Sequence, residues 1–503
     1  MSKNKQILIF SGIGLAVLGG VTAALLLTAP QTGATIGESD AEQVQESESY
    51  VLSAQTVENI AKIHVTNASG EYDIIPAAEK DEDGNTVWTI SGLEDAPLLT
   101  DTIASAVKGI ANVEAQQLVE ENPAETDKYG LTDPQASVTI SYADGTDYSF
   151  SYGNQSPTSS TAVYFLDNAS HTVYTYKKSA VTPFSGDKFS FIETTVMPAQ
   201  DTSGEEEIKS LTVDRYDLEE PLIIEQIPSV EGEISVFAYQ LTSPYTAYAD
   251  LTDAPNFMNS LFSLEAQKAV WYGMEEKDYE VSGLSSPTCT ITLKTTKKTY
   301  KITLGRPVVS ETSDENGNIS QEITGIYGMC SEMPDVLYLF NYDDIPALSI
   351  DPQAVISQLF LMPYIYSLDR VSYSDSEGRS FELAFETTPA ETEDGEDTHS
   401  HFLNGEPADE QQVKKMYQFL ISAAGDELYF DEEKGDLLAQ IKYVYFDESR
   451  GDDIVSFYSS PSDRRVIINI NGENVFKSKQ IYINQLYKNA ENLLNGGEIV
   501  LTY

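Results

Sequence analysis

The stretch from Tyr129 to Gly153 reads YGLTDPQASVTISYADGTDYSFSYG and decides the fold. Apolar and polar residues alternate on both sides of Asp144-Gly145, which predicts two antiparallel strands joined by a tight hairpin. The chain repeats this stretch about one domain length later. The landmarks are Leu131, Pro134 and Gly153 in the first copy and Leu284, Pro287 and Gly305 in the second. Their nearly constant offset indicates a duplicated structural unit.

The duplication divides the chain into modules. We predict a cytoplasmic tip and transmembrane helix at 1–30 and an acidic linker at 31–55. Module 1 follows at 56–200 and module 2, its repeat, at 205–362. Module 3, at 366–503, is a divergent repeat that lacks the Gly-Leu-x-x-Pro element but keeps a hairpin turn at Asn471-Gly472.

Each module also contains one segment with helical periodicity between its runs of strands. The apolar positions of these segments are Ile103, Val107 and Ile110 in module 1, Phe257, Leu261 and Leu264 in module 2, and Val413, Tyr417 and Leu420 in module 3. Thr100 or Asp101 is the predicted N-cap of the first helix, and Ile481 to Leu494 is predicted to form a further helix. The fold class is therefore α+β: tandem β-rich modules, each with antiparallel strands and one covering helix, behind a single N-terminal transmembrane helix.

The charge of the chain limits its partners. It has 30 Lys and Arg against 80 Asp and Glu, a net charge of −50. Nucleic acid is excluded as a partner because its binding requires basic side chains at the phosphates. The same charge opposes lying flat on anionic lipid.

Residues 7–29 carry no charge and are long enough to cross a bilayer as a helix. Lys3 and Lys5 precede this segment and the next basic residue is Lys62, which predicts a cytoplasmic N-terminus and an extracytoplasmic body. The alternative is a cleaved signal peptide, with Thr32-Gly33-Ala34 as the cleavage site.

Small residues recur every fourth position in this segment. Gly12, Ala16, Gly20 and Ala24 predict a packing face for a transmembrane helix of a partner protein. The alternative is chance, because glycine and alanine are common in membrane helices.

The sequence contains two cysteines, Cys289 and Cys330, both near predicted strands of module 2. Two cysteines are too few for a disulfide scaffold, and one bridge between them is left open.

No motif assigns a catalytic, cofactor-binding or metal-binding residue. The acidic turns at Gly84, Gly317 and Gly395 lack the glutamate that closes a calcium loop. His399 and His401, beside several acids, could bind a transition metal, but a solvated loop is the favoured interpretation. Nucleotide-binding, zinc-protease and serine-hydrolase motifs are absent from the sequence.

Tyrosines are frequent in the predicted strands of module 1. Tyr148, Tyr152, Tyr164, Tyr174 and Tyr176 could form an aromatic face that stacks on sugars or holds a peptide. Half-buried strand positions are the simpler explanation for them.

Tyr129-Gly-Leu-Thr-Asp-Pro134, the hairpin ending at Gly153, and the later Val163-Tyr164 and Val173-Tyr174 together resemble a bacterial cell-envelope family catalogued as domain of unknown function 4340. The resemblance is good over 56–200, fair over 205–345 and poor beyond 365. It implies an envelope protein that accompanies ABC-type export permeases or gliding-motility-type subunits. The family has no established catalytic residues to transfer.

Two functions follow as the favoured hypotheses, ahead of a third, an enzyme on the cell surface. The first is a non-enzymatic, single-pass membrane scaffold or accessory subunit whose partner is a permease or another envelope protein. The second is an ectodomain that binds cell-wall glycan or peptide.

Overall fold

Apolar and polar residues that alternate with a period of two determine most of the structure. The computed structural model describes residues 49–228, 236–313, 319–389 and 397–503. Strands dominate it, the three large sheets are antiparallel, and the described residues contain six α-helices. The α+β prediction is therefore confirmed in its coarse form. The predicted membrane span at 7–29 and most of the predicted linker lie outside the described residues.

Sheet 1 has eight strands, and a separate two-stranded sheet, β1 with β5, lies beside it. In chain order the strands are β1 (Tyr50–Ala54), β2 (Ile60–Asn67), β3 (Gly70–Lys80), β4 (Thr86–Ile90), β5 (Asn112–Ala115), β6 (Gln117–Glu121), β7 (Ala136–Tyr142), β8 (Asp147–Gln155), β9 (Ala162–Asp167) and β10 (Thr172–Lys177). Helix α1 (Thr100–Ala111) lies between β4 and β5, and the short α2 (Lys178–Val181) follows β10.

Sheet 2 has nine strands: β11 (Ile208–Arg215), β12 (Leu222–Gln226), β13 (Tyr239–Ser243), β14 (Ala247–Tyr248), β15 (Lys268–Tyr272), β16 (Cys289–Thr295), β17 (Thr299–Ser313), β18 (Ile319–Cys330) and β19 (Met333–Asn341). Its helices are α3 (Asp253–Asn259) and α4 (Glu276–Ser282).

Sheet 3 also has nine strands: β20 (Leu368–Asp375), β21 (Ser380–Thr388), β22 (Thr398–Leu403), β23 (Glu406–Pro407), β24 (Glu427–Leu428), β25 (Leu437–Tyr445), β26 (Asp453–Ser459), β27 (Arg465–Ile470) and β28 (Glu473–Lys479). Helix α5 (Glu410–Ile421) precedes β24, and α6 (Ile481–Asn495) follows β28.

The three sheets share one strand order. Sheet 1 runs β4-β3-β2-β7-β8-β9-β10-β6, and sheets 2 and 3 repeat this order with one extra edge strand each, β14 and β23. In every sheet the chain begins at a central strand and runs outward to one edge. The chain then passes through a helix to the strand at the opposite edge of the sheet. The next long strand pairs with the central strand where the module began.

The helices fill the core as predicted in two sheets but not in the third. Ile103, Val107 and Ile110 of α1 are fully buried, and the predicted apolar face of α5 is buried as well. The module 2 prediction was too long, because α3 ends at Asn259, before Leu261 and Leu264, which are nevertheless buried. Periodicity alone could not distinguish this buried loop from a third helical turn.

Two further boundaries differ from the prediction. Tyr50–Ala54, assigned to the acidic linker, forms β1, because Tyr50-Val51-Leu52 is a continuous run of large apolar side chains. Helix α1 begins at Thr100, and its N-cap is Leu99, without a side-chain cap, rather than Thr100 or Asp101.

The duplicated landmark of the sequence is a close approach of two backbones. Gly130 and Gly283 each end a helical turn in the left-handed conformation, with φ of +67° and +79°. That turn packs directly on the strand that carries Gly153 in sheet 1 or Gly305 in sheet 2. A Cβ atom at Gly153 would lie 2.6 Å from the Gly130 carbonyl oxygen, and one at Gly305 would lie 3.0 Å from the Gly283 carbonyl carbon.

Sheet 3 makes the same approach with the glycine on the other partner. Ser459 follows the paired residue Tyr458, as Gly153 follows Tyr152 in sheet 1. The segment that packs on it supplies Gly435, where a Cβ would lie 2.8 Å from the Ser459 carbonyl oxygen. The missing Gly-Leu-x-x-Pro element of module 3 therefore does not remove the contact.

We expect Gly153→Ala to lower the free energy of unfolding by about 1–3 kcal/mol, the usual effect of forcing one extra carbon into a packed site. Urea denaturation can be followed through buried Trp88 in a Trp271→Phe background, so that fluorescence reports sheet 1. Gly145→Asn, at an open turn with φ of +85°, is the control and should change stability by less than about 0.5 kcal/mol. Equal stability of Gly153→Ala and the parent would contradict the close approach.

Candidate functional site

The residues predicted to pack in the membrane cannot be placed. Gly12, Ala16, Gly20 and Ala24 all lie outside the described residues. Within the ranges that the structure does describe, no helix combines the length and apolar character needed to cross a bilayer.

The tyrosines of sheet 1 do not form an exposed aromatic face. Tyr152, Tyr174 and Tyr176 are buried, and Tyr148 and Tyr164 are half-buried. Burial raises the pKa of the Tyr152 and Tyr176 hydroxyls to about 12, so both remain neutral. The structural role favoured for these residues agrees with their position in the core.

The two histidines considered as metal ligands lie on a strand and not in a solvated loop. His399 and His401 belong to β22, which pairs with β21. The loop interpretation was wrong because the polar stretch before residue 397 concealed a short alternating strand. Among the described residues, no group of three or more His, Cys, Asp or Glu could hold a metal ion.

His401 has an unusual environment. Its side chain is 5% exposed, and no hydrogen-bond partner reaches its buried Nε2 atom. The rings of Phe385 and Tyr366 lie 6.1 and 6.2 Å from the imidazole, both edge to face. Burial lowers the pKa of His401; Glu410 opposes this shift, and Lys414 and His399 add to it.

His399 is held on the same strand by an aromatic stack. The centre of its ring lies 3.5 Å from that of Tyr366. The Lys414 ammonium lies 5.6 Å from the centre of the same Tyr366 ring. Glu410 forms an ion pair with Lys414 at 2.6 Å. The pair of histidines therefore contributes to the packing of α5 against β22.

The two cysteines are free and buried. Cys289 pairs with Leu304 of β17, whereas Cys330 pairs with Ile302 on the opposite side of that strand. With a full strand between them, their Cα atoms are about 10 Å apart, beyond the reach of a disulfide. Burial raises the pKa of Cys289 to about 12, which makes its thiol unreactive.

A repeated joint connects the modules. In each module the segment directly after the helix pairs with the chain that enters that module. In module 1 this pairing is β1 with β5. In module 2, Val196 N–H donates to the Leu264 carbonyl at 2.9 Å, and in module 3 Gly425 N–H donates to the Gln358 carbonyl at 2.9 Å.

The chain between sheets 2 and 3 is anchored further by a buried arginine. Arg215 is 6% exposed and donates from Nη1 to the carbonyl oxygens of Ala347 and Ile350 at 3.0 and 3.1 Å. Its charge is balanced by Asp217, whose Oδ1 lies 2.6 Å from Nε. The guanidinium beside Asp217 lowers the pKa of that carboxyl group.

A cleft of about 430 Å³ lies where this connecting chain meets sheets 2 and 3. We call it the joint cleft. Tyr248 lies on the sheet 2 side, Ser357 and Phe360 come from the connecting chain, and Phe476 with Glu473 comes from the β27–β28 hairpin. A ring stack of Tyr245 on Phe430, 4.7 Å apart and nearly parallel, also joins the two sheets.

The walls of the joint cleft are ordered by internal contacts. Tyr248 stacks on Phe237 at 4.3 Å, and its carbonyl accepts a hydrogen bond from Ser357 N–H at 2.8 Å. The rings of Phe360 and Phe476 are 5.9 Å apart.

The joint cleft carries negative charge. Asp453 accepts hydrogen bonds from the Tyr445 hydroxyl at 2.7 Å and from Asn471 Nδ2 at 2.9 Å. Glu473 is exposed on the same hairpin. Among the described residues that line the cleft there is no Lys, Arg or His, so anionic ligands are disfavoured. Aromatic walls beside side-chain oxygens suit a neutral or cationic ligand with an apolar face.

Sequence reasoning missed this cleft because its walls are more than two hundred residues apart along the chain. Only the Asn471-Gly472 turn was recognised, as a hairpin. Nothing in the local pattern around Tyr248 or Phe360 indicates that they meet.

The fold and the joints define a protein of tandem antiparallel modules. Residues 88–287 match a family described as a domain of unknown function, DUF4340. The matched range, less than half of the chain, runs from the end of the first meander of sheet 1 to the repeated proline Pro287. The chain thus resembles this family, as its landmark residues predict. No curated protein and no solved structure matches it.

We expect the stability of the chain to decrease on acidification because of His401. Its pKa in the folded protein is lowered, so the unfolded chain binds this proton more readily. The associated stability is present above the ordinary histidine pKa of about 6.5 and is lost as the pH falls toward the folded pKa. The slope from one such group is at most about 1.4 kcal/mol per pH unit.

The measurement is urea denaturation between about pH 7.5 and about pH 5.5, with parent and variant compared at each pH. His401→Phe should reduce the pH dependence. His171→Asn, which replaces an exposed histidine with φ of +52°, should leave it as in the parent. Identical pH profiles for parent and His401→Phe would show that His401 does not contribute.

Proposed function

We propose that this chain is a non-enzymatic, membrane-anchored, extracytoplasmic scaffold or accessory subunit. Its partner is a multi-span membrane permease, with the permease of an ABC-type export system as the first candidate. The repeated joint is the observation that supports this proposal most directly. Three sheets of one strand order follow each other, and each is tied through its backbone to the chain that enters it.

Tandem modules that share one joint present repeated, ordered surfaces, and repeat proteins use such surfaces to bind other macromolecules. The high negative charge keeps such a body soluble and away from anionic lipid. In this proposal residues 7–29 anchor the chain, and Gly12, Ala16, Gly20 and Ala24 contact the permease.

A second candidate is recognition of cell-wall glycan or peptide by the same ectodomain. The observation that favours it is the joint cleft, whose volume falls in the range of ligand pockets. The tyrosines of sheet 1 do not support it, because they are buried or half-buried. Tyr248, Phe360 and Glu473 would then provide the aromatic contact and the hydrogen-bond acceptor.

For the scaffold proposal, affinity capture of the intact chain from membranes should recover a permease. Ala16→Leu and Gly20→Leu should weaken that capture, since a bulky side chain prevents close approach of two helices. Gly14→Leu, which adds the same bulk on another side of the predicted helix, is the matched control and should be captured normally. Recovery of no permease, or equal loss in all three variants, would argue against the proposal.

For the glycan candidate, the chain without residues 1–48 should co-sediment with purified cell wall. Glu473→Ala should reduce the bound fraction several-fold, because it removes an exposed acceptor without disturbing the core. Glu491→Ala, an exposed acid on α6, should have no effect. If the parent protein stays in the supernatant, this second candidate fails and the scaffold proposal is unaffected.

A further inference from the structure

A pocket of about 210 Å³ opens beside helix α4 of module 2. We call it the α4 pocket. Its walls are mostly apolar and come from α4 and from three strands of sheet 2, β18, β19 and β15: Val281, Ser282, Tyr327, Leu337, Val270 and Trp271. Pockets for whole ligands usually have volumes of about 300–1,000 Å³, so this one has room for a single ring.

Module 1 has a tyrosine at the same place. The turn that ends at Gly130 or Gly283 packs on the strand that carries Gly153 or Gly305, and the contact is made by equivalent residues. A Cβ atom at Gly153 would meet the carbonyl oxygen of Tyr129, and one at Gly305 would meet the carbonyl oxygen of Ser282. Ser282 therefore takes the position of Tyr129.

The edge strands of the two sheets align in the same way. β6 pairs with β10 and β15 pairs with β19, and each edge strand has one bulged residue, Val119 in β6 and Val270 in β15. The pairs that follow the bulge are Glu120–Val173 in sheet 1 and Trp271–Leu337 in sheet 2. The strand walls of the α4 pocket thus correspond to the residues around the tyrosine of module 1.

In module 1 the Tyr129 ring closes this space. It is 8% exposed and packs in a cluster with Val173, beside Val119 and Tyr164. Its centre lies 4.7 Å from that of the Tyr164 ring, and its hydroxyl donates to the Glu120 carboxylate at 2.6 Å. Module 2 keeps aliphatic and aromatic walls, but serine replaces the ring and tryptophan replaces the carboxylate.

The rim of the α4 pocket exposes large apolar side chains. Trp271 is 47% exposed and Val281 is 68% exposed. Phe189 extends this surface, because its ring centre lies 5.8 Å from that of Trp271. Apolar side chains gathered at one exposed place mark interaction sites, whereas scattered ones do not. A free ring compound in the pocket would leave this rim in water, whereas a protein that inserts one aromatic anchor would cover it.

This chain has no suitable ring of its own outside the described ranges. Residues 1–48, 229–235, 314–318 and 390–396 contain one aromatic residue, Phe10, which belongs to the predicted membrane segment. A second copy of the chain is disfavoured, because each copy carries a net charge of −50. A different protein is therefore the favoured source of the ring.

Helix α4 brings negative charge to the pocket. The helix and its N-cap carry one lysine and four acids: Lys277, Glu275, Glu276, Asp278 and Glu280. Lys277 is already paired with Glu275 at 2.8 Å. Asp278 lines the pocket itself.

The region around Tyr272, which follows Trp271 in β15, is also acidic. Burial raises the pKa of Tyr272, and three nearby acids add to this shift: Asp335, Asp95 and Glu94. The adjoining turn and strand contribute two basic side chains, Lys188 and Lys268, so acids outnumber bases here as well. This field attracts basic residues on an incoming protein and repels acidic ones.

We propose that the α4 pocket receives an aromatic side chain of a partner protein, and that basic residues flank this side chain in the partner. The ring takes the place that Tyr129 takes in module 1, Trp271 and Val281 cover it, and the carboxylates select the flanking charge. The pocket lies outside the predicted membrane segment, so the inference goes beyond the membrane contact proposed above and does not depend on it.

The test uses the full-length chain in non-ionic detergent micelles and a short synthetic peptide with a central phenylalanine flanked by lysines. Fluorescence anisotropy of a label at one end of the peptide measures binding, with empty micelles as the background. Replacing the phenylalanine by alanine should weaken binding by about tenfold or more, because it removes the anchor. A peptide with glutamates in place of the lysines should not bind.

A variant of the chain tests whether the ring enters this pocket. Ser282→Tyr supplies from within the ring that module 1 has at the same place, and it should abolish binding of the phenylalanine peptide. Ser69→Tyr, which adds the same ring at an exposed turn of sheet 1, is the matched control and should bind as the parent does. Circular dichroism in the far ultraviolet reports that each variant is folded.

Four outcomes would overturn the proposal. Equal binding of the phenylalanine and alanine peptides would indicate charge attraction without a ring. Undiminished binding by Ser282→Tyr would show that the ring enters elsewhere. Displacement of the peptide by an equal concentration of free p-cresol would indicate a small aromatic ligand. Self-association that Ser282→Tyr removes would indicate a second copy of the chain. None of these results bears on the capture of a permease, so the two proposals fail independently.

Discussion

The structure depends on one repeated interaction: the backbone pairing between the chain that enters a module and the segment after that module's helix. At Leu264 and at Gln358 it pairs backbone groups where two sheets meet, and such groups would be costly if they were buried without a partner. Because the pairing is made through the main chain, it constrains sequence weakly. Three modules of divergent sequence can therefore share one joint.

Much of the fold followed from local pattern. The Asp144-Gly145 hairpin and the helix faces of α1 and α5 are set by short-range periodicity and turn chemistry. The duplicated glycines were informative because close backbone approach excludes a Cβ atom at Gly153 and Gly305. Where the same contact is made with the glycine on the opposite partner, as at Gly435, the sequence comparison failed although the geometry persisted.

The candidate sites were less predictable, for a physical reason. The joint cleft is formed by Tyr248, Phe360 and Phe476, whose proximity depends on how two sheets and a connecting chain pack. The burial of His401 depends on α5, which covers one face of β22. In the sequence, the acidic residues that precede β22 concealed this strand. The alternation of residues shows which face of a strand is apolar. It does not show which element packs against that face.

Comparison among the repeats adds information that neither sequence nor a single module provides. What the three sheets have in common, the strand order and the joint, is sufficient for folding. What one sheet alone possesses must be explained by something other than the fold.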